Sequence, residues 1–358
     1  MANEIKKKQT VCFVFGGNSS EHEVSCVSAM NVIENADPEK YDIIPLGITK
    51  EGEFFVYSGA YENIGSGEWK RDRQNLTCAN LTAGSTLCLE KDGKLEKIKI
   101  DVIFPVMHGA YGEDGRIQGL FELYGFSYVG SPCAASAVCM DKAFTKQILS
   151  NFDIPQARTV FMTRDDVSEI TPETCETIAS ALGLPLFVKP ANAGSSVGVT
   201  KVKSIDELPA ALNIAAKEDG KILVEEFIEG HEIEVAVIGN GSNIRASVPG
   251  RIDPGADFYD YDTKYKTDTS RCYIPANDIS RETAEEIRAL ALQIYSILGC
   301  RGLSRVDFFA RPDGSPVFNE INTLPGFTPI SMYPKLFMYS GMKYSEIIDE
   351  LIFLACEK

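Results

Sequence analysis

Histidine is scarce in this chain: 358 residues contain three, too few for a His-rich metal site. Paired cysteines are missing as well. Ten cysteines are scattered without a C-x-x-C pair. Cys12, Cys88, Cys139 and Cys300 sit among apolar neighbours, which reads as buried, reduced thiols. No apolar run is long enough to cross a bilayer. The opening M-A-N-E-I-K-K-K is polar and leads straight into a strand, so it does not read as a secretory signal. Positive charge is also short. Lys and Arg total 35 against 51 Asp and Glu, a formal net charge of −16. That balance argues against nucleic acid as a main partner. It leaves room for a small phosphate ligand held by a few local lysines. The expectation is a cytoplasmic protein with no membrane or nucleic-acid partner.

Two nucleotide fingerprints are absent. The first strand-to-helix turn, G-G-N-S-S-E-H-E-V-S, is not G-x-G-x-x-G, so the dinucleotide pattern fails. The later K-P-A-N-A-G-S-S-V-G has its lysine before the loop and a strand after it, so it is not a P-loop.

What is present is an ordinary globular composition, 44% hydrophobic and 24% charged, at a length suited to two or three domains. Residues 10–17, T-V-C-F-V-F-G-G, predict a buried strand ending in a glycine turn. A helix follows from about Glu21, then the strand Y-D-I-I-P-L-G-I. Residues 58–95 are weakly patterned and read as an excursion and hairpin. A strand over 101–109 and a helix over 116–124 complete an open α/β domain to about residue 130. Ser131-Pro132 reads as a helix start, serine capping and proline first, on a helix that carries Lys142. Strands are expected at 185–190, at V-T-K-V, at 222–228 and at E-I-E-V-A-V-I-G. Residues 253–275 are irregular and polar. Apolar residues at 287, 290, 291, 294, 297 and 298 form a helical stripe ended by Gly299. Strands follow at 304–310 and 316–321.

Four stretches carry chemistry. K-P-A-N-A-G-S-S-V-G predicts a glycine-rich hairpin able to fold over phosphates, with Lys189 before it and Lys142 upstream as point charges. Glu21 stands at a helix start, where it either caps the helix or receives a substrate ammonium. In S-R-V-D-F-F, Arg305 and Asp307 share a face opposite Val306 and Phe308; a charged pair in an aromatic strand needs a partner or a metal. In F-N-E-I-N-T-L-P-G-F, alternation puts Glu320 beside Asn322 and sends Asn319 to the opposite face. It also leaves Phe318 and Ile321 on opposite faces. Asp307, Glu320 and Asn322 together make an oxygen-rich set suited to one or two magnesium ions.

Taken in order, these stretches resemble the D-alanine–D-alanine ligase family of ATP-grasp enzymes, including its vancomycin-resistance relatives. The resemblance runs through F-G-G-N-S-S-E-H-E-V-S, F-P-V-M-H-G-A-Y-G-E-D-G, M-D-K, K-P-A-N-A-G-S-S-V-G, F-Y-D-Y-D-T-K-Y, S-R-V-D and N-E-I-N-T-L-P-G-F-T. It implies a three-domain α/β ATP-grasp ligase: an N-terminal open parallel α/β domain (1–130) and two α+β domains clamping ATP, the central one at 131–226 and the C-terminal one at 227–358. It implies ATP contacts at Lys142, Lys189, Glu225, Ile228 and Glu232. Magnesium, as two ions replaceable by manganese, would be held by Asp307, Glu320 and Asn322. The first D-alanine would meet Glu21 and His108, with Ser195 and Tyr265 closing the 253–275 loop by hydrogen bonds to Glu21. Arg305 and backbone near Gly326 would face the reacting group, and Ser331 the second substrate's carboxylate. The family is commonly dimeric, so a homodimer is expected.

The implied reaction joins two D-alanines through an acyl phosphate. A D-alanine–D-serine ligase is the alternative, and an ATP-binding protein without catalysis is the alternative of another class. Two positions depart from the pattern. Glu226 stands where some relatives have lysine. Met332 stands where resistance-type relatives carry arginine, which favours an alanine acceptor. The Lys264-Tyr265 pair favours dipeptide over depsipeptide.

Overall fold

The structure is a computed structural model and describes residues 7–91, 93–194, 196–253 and 271–357. Ser195, Lys264 and Tyr265 lie outside the described residues.

The first apolar run folds as β1 (Gln9–Gly16), whose residues Val11 to Phe15 are fully buried. It is followed by α1 (His22–Asn35), β2 (Tyr41–Ile48), β3 (Phe54–Tyr57), the single turn α2 (Glu62–Gly65), β4 (Leu76–Thr82), β5 (Thr86–Lys91), β6 (Lys94–Lys99), β7 (Val102–Val106) and α3 (Arg116–Tyr124). Seven strands form one sheet in the order β6-β5-β4-β3-β2-β1-β7. Only β2, β1 and β7 run parallel. The expected parallel sheet is therefore mixed. Residues 58–95 are more than an excursion: they extend the sheet as an antiparallel meander. For β4, β5 and β6 the cause is local, because the short connections between them join only antiparallel strands.

Two helices follow, α4 (Cys133–Met140) and α5 (Lys142–Leu149). The expected capping serine does not cap. Pro132 holds the position before α4, and the Ser131 hydroxyl instead accepts from the Arg301 backbone N–H at 3.2 Å. Lys142 is not within that helix either. The chain breaks at Asp141, whose carboxylate accepts from the N–H groups of Ala143 and Phe144 and starts α5 afresh, a cap worth about 1 kcal/mol. Next come β8 (Thr159–Thr163), α6 (Arg164–Ser168), α7 (Pro172–Leu182), β9 (Leu186–Pro190), β10 (Thr200–Val202), α8 (Leu208–Glu218) and β11 (Lys221–Glu226). The strands form an antiparallel sheet, β10-β9-β11-β8. Ile178 and Leu182 of α7 and Leu208 and Leu212 of α8 bury Val188 and Val224. Because β11 ends at Glu226, Ile228 lies past the strand and not inside it.

The third sheet is built from β12 (His231–Asn240), β13 (Asn243–Ala246), β14 (Gly250–Asp253), β15 (Arg271–Tyr273), β16 (Gly302–Ala310) and β17 (Pro316–Asn322). Its order is β15-β14-β12-β16-β17, with β13 paired to β12. Helix α9 (Arg281–Ile297) packs Ile287, Ala291 and Ile294 on it, the stripe read from the sequence. Ser280 caps its start and Gly299, at φ +68°, ends it. The chain closes with α10 (Met332–Tyr339) and α11 (Tyr344–Cys356). The cores cross the expected boundaries. Phe13 and Phe104 of the first sheet share one cluster with Tyr333 and Leu351. Cys139 of α4 and Leu149 of α5 join the core of the third sheet. Among the cysteines, Cys12, Cys139 and Cys300 are buried and Cys88 is half-buried.

Candidate active site

Three acids lie in a row across the third sheet. In the strand register Glu234 of β12 faces Asp307 of β16, and Asp307 faces Glu320 of β17. Directly opposed like charges are destabilising unless something positive sits among them. Arg305 supplies part of it. Its guanidinium donates to both Asp307 oxygens, at 2.8 and 2.7 Å, and lies 3.2 Å from Glu234. Burial opposes the Arg305 charge, but Asp307 and Glu234 hold it well above its ordinary range. Glu234 was not singled out from the sequence; the acidic alternation of H-E-I-E-V on the neighbouring strand was the available signal.

The register slips by one residue between Asp307 and Phe308, so that Phe308 faces Phe318 while Asp307 faces Glu320. Asn319 is the extra residue of a bulge. This resolves the clash in the alternation. Phe318 and Ile321 both enter the core with Val306 and Phe308. It also overturns the placement of Asn319, which lines the same cleft as Glu320.

That cleft, about 320 Å³, lies between the second and third sheets. Lys142, Lys189, Glu225, Ile228 and Glu232 all line it. Lys142, first residue of α5, donates from Nζ to the Ala193 carbonyl at 3.0 Å and pairs with Glu320 at 3.2 Å. It thus ties the glycine-rich loop to the acid row. Glu225 is buried between two lysines, Lys189 at 2.7 Å and Lys146 at 3.1 Å. Burial works against its charge, but Lys146 and Lys189 outweigh burial and hold its carboxyl below the ordinary value. Lys146 was missed in the sequence, where a lysine on a short helix has no distinguishing mark. The departure at Glu226 has a partner: Arg158 donates to both its oxygens, from the backbone at 2.9 Å and from Nε at 2.7 Å. Arg251 lines the cleft too and pairs with Asp253 and Asp278.

At the head of α1, Glu21 is buried and its side chain makes no cap hydrogen bond, so the capping alternative fails. Its Oε2 packs so closely on Gly109 that a Cβ there would lie 2.3 Å from it; at Gly194 of the glycine-rich loop the distance would be 3.4 Å. Glu21 therefore stands where the first sheet meets that loop. His108 is beside it, fully buried. Its Nδ1–H donates to the Leu324 carbonyl at 3.2 Å, since a carbonyl only accepts, and its Nε2 then accepts from Ser28 at 3.0 Å. Burial keeps this imidazole below its usual pKa, against the pull of Glu21. Glu113 completes the corner. It accepts from the Gly109 N–H at 2.9 Å, and burial, reinforced by the Glu21 charge, pushes its carboxyl up to about 8. It is the third residue the sequence reading missed, although it stands in the quoted Y-G-E-D-G.

The turn after β17 is held by Asn322, whose Oδ1 accepts from the Leu324 N–H at 3.0 Å. Gly326 and Ser331 meet there: a Cβ on Gly326 would lie 2.7 Å from the Ser331 hydroxyl, which also accepts from the Thr328 N–H. Met332 is not brought to this group. It is buried in the core, with its methyl against Gly250.

Asp307, Glu320 and Asn322 fit a hard divalent cation by chemistry and place: two opposed carboxylates and a carboxamide on adjacent strands, all oxygen donors. Among the described residues no three His, Cys, Asp or Glu gather tightly enough to hold a metal alone. Further oxygens from phosphate or water suit magnesium, which seldom takes an all-protein cage.

Two antiparallel sheets closing on a cleft lined by Lys142, Lys189 and Glu320, the last opposed across the strands by buried Asp307, make this an enzyme of the ATP-grasp class. The family profile described as "D-ala D-ala ligase N-terminus" matches residues 10–131, and "D-ala D-ala ligase C-terminus" matches 148–353. The chain belongs to the D-alanine–D-alanine ligase family. Its relatives include the D-alanine–D-alanine ligases of Ruminiclostridium cellulolyticum, 49% identical over 98% of this chain and 96% of that one, and of Clostridium acetobutylicum, 47% identical over 98% and 99%. Among solved structures it is similar to the VanG D-Ala:D-Ser ligase of Enterococcus faecalis, with a TM-score of 0.88 and 39% identity over 98% of this chain and 100% of that one. The D-alanine–D-alanine ligase of Coxiella burnetii follows at 0.84 and 32%, over 98% and 94%.

Proposed function

We propose that this enzyme joins two D-alanines at the expense of ATP, giving D-alanyl-D-alanine for peptidoglycan precursors, in the cytoplasm and as a homodimer. The observation that carries the reading is the Asp307–Glu320 pair, opposed across two strands, with Asp307 buried and Glu320 lining the cleft beside Lys142 and Lys189. The three sheets are read as the working units, with limits at 1–130, 131–226 and 227–358.

ATP enters between the second and third sheets. Lys142 and Lys189 hold its phosphates, Glu225 and the backbone near Ile228 meet the adenine, and Glu232 meets the ribose. Asp307, Glu320 and Asn322 would hold two magnesium ions, replaceable by manganese, which would supply charge neutralisation on the transferring phosphoryl group. Glu21 receives the ammonium of the first D-alanine, and neutral His108 fixes the turn at Leu324 beside it. A carboxylate oxygen of that D-alanine attacks the γ-phosphorus, and ADP leaves. The amine of the second D-alanine, held at its carboxylate by Ser331, attacks the acyl carbon; phosphate leaves and the amine loses its proton. Arg305 and the backbone near Gly326 stabilise the oxygen charge that develops. Ser195 and Tyr265 are assigned to the hydrogen bonds with Glu21 that close the 253–275 loop, and Lys264 to the cation that disfavours the protonated form of the attacking amine. Closure protects the acyl phosphate from water.

The likeness to VanG favours a second reading, with D-serine as acceptor. Incubation with ATP, magnesium and equal D-alanine, D-serine and D-lactate separates the two. D-Alanyl-D-alanine with ADP and phosphate is expected as the main product. Mainly D-alanyl-D-serine would establish the second reading. ATP turnover indifferent to D-alanine would overturn both.

A further inference from the structure

Helix α5 carries two lysines four residues apart, so Lys142 and Lys146 project from one face. Lys142 reaches the glycine-rich loop and Glu320. Lys146 reaches Glu225, and its side chain is 4% exposed. Glu225 is thereby shared: one oxygen pairs with Lys146 and the other with Lys189. Two ammoniums and one carboxylate leave this wall of the cleft with one net positive charge. Without Lys146 the remaining pair would be neutral, and Lys189 would face a harder choice. Turning to a phosphate would strand a buried carboxylate without a counter-charge, which is strongly unfavourable.

We propose that Lys146 is a positioning residue that holds the charge of Glu225, so that Lys189 is released from it to bind the polyphosphate of the nucleotide. Lys146 itself does not line the cleft. It acts on the phosphate through its neighbour. The proposal rests on the reading of the cleft as the triphosphate site.

The test uses the full-length protein and two probes, magnesium tripolyphosphate and adenosine, with binding measured calorimetrically. In Lys146→Met and Lys146→Gln the charge is gone, and tripolyphosphate should bind roughly tenfold more weakly. Lys146→Arg keeps the charge and should stay within about threefold of the parent. Adenosine carries no phosphate but meets Glu225 in the proposed site, so its losses in the variants should be clearly smaller than those for tripolyphosphate. Lys146→Gln can still donate to Glu225, so its binding tripolyphosphate as the parent does would overturn the charge argument. Equal losses for adenosine and tripolyphosphate would overturn it too, by showing a loosened cleft. Should Lys146→Met fail to fold, Lys146→Gln against Lys146→Arg makes the same comparison. A parent that binds neither probe would overturn the nucleotide reading, whereas a parent and Lys146→Gln that bind tripolyphosphate equally would overturn only the role of Lys146.

Discussion

Asp307 and Glu320 stand directly opposite each other on β16 and β17, and the register slips by one residue just beyond them. The slip makes Asn319 an inserted residue on the cleft side of the sheet. Asn319→Ala is therefore expected to raise the KM for ATP several-fold while leaving kcat within about twofold, because it removes a contact common to ground and transition states. Glu320→Gln should act on the other parameter and cut kcat by orders of magnitude, a loss of about 3 kcal/mol or more in transition-state stabilisation. Steady-state kinetics on both, with circular dichroism to check folding, settles it. An Asn319→Ala enzyme with native kinetics would return that side chain to the far face.

Much of this arrangement was legible beforehand, and its gaps have physical causes. The strand at 304–310 and the helix at 281–298 were visible because period-2 and period-3.6 patterns survive wherever one face is buried. Residues 58–95 were not: β6 is the sheet edge, where Lys94, Leu95 and Glu96 are exposed and no apolar alternation is required, and the alternation of β5 is confined to buried Leu87 and Leu89. The bulge at Asn319 was invisible because one inserted residue shifts a face without changing composition. Its trace was the pairing of Phe318 with Ile321, two core residues at odd spacing. Lys146 and Glu113 were missed because their roles come from burial beside a charge brought in by another element. Met332 was read as an acceptor determinant, yet its surroundings are those of a core residue.

Gly109 is expected to be intolerant of any side chain. Its φ is +70°, and a Cβ would lie 2.3 Å from Glu21 Oε2. Gly109→Ala combines left-handed strain of about 1 kcal/mol with displacement of the carboxylate assigned to the first substrate's ammonium. The displacement should dominate, giving a KM for the first D-alanine raised at least about tenfold with a melting temperature only a few degrees lower. Gly125→Ala is the control, because φ there is similar, at +76°, and nothing lies within 4 Å of its Cβ. Equal kinetic effects in the two variants would show that strain alone, not Glu21, was being measured.

Glu113 sets the pH dependence of this corner. Burial and the neighbouring Glu21 charge raise its folded-state pKa from 4.5 to about 8. Between those values the folded chain keeps a proton that the unfolded chain has lost. Stability linked to this group is therefore complete below 4.5 and is lost as the pH rises through about 8. Glu113→Gln replaces a titrating neutral acid with a permanently neutral amide that can still accept from the Gly109 N–H. The substitution should flatten the stability profile on the alkaline side. Relative to the parent, Glu113→Gln should gain melting temperature at pH 8.5 compared with pH 5.5. The same exchange separates two accounts of the site. If Glu113 were ionised at neutral pH, the ammonium of D-alanine would meet two carboxylates, and Glu113→Gln would weaken substrate binding sharply. With Glu113 protonated, Glu21 alone supplies the charge, and the KM for D-alanine at pH 7 should change by less than about threefold. Melting curves and KM values at both pH extremes test this. A parallel loss of stability for parent and variant from pH 5.5 to 8.5, with a sharply raised KM, would mean that Glu113 carries its charge.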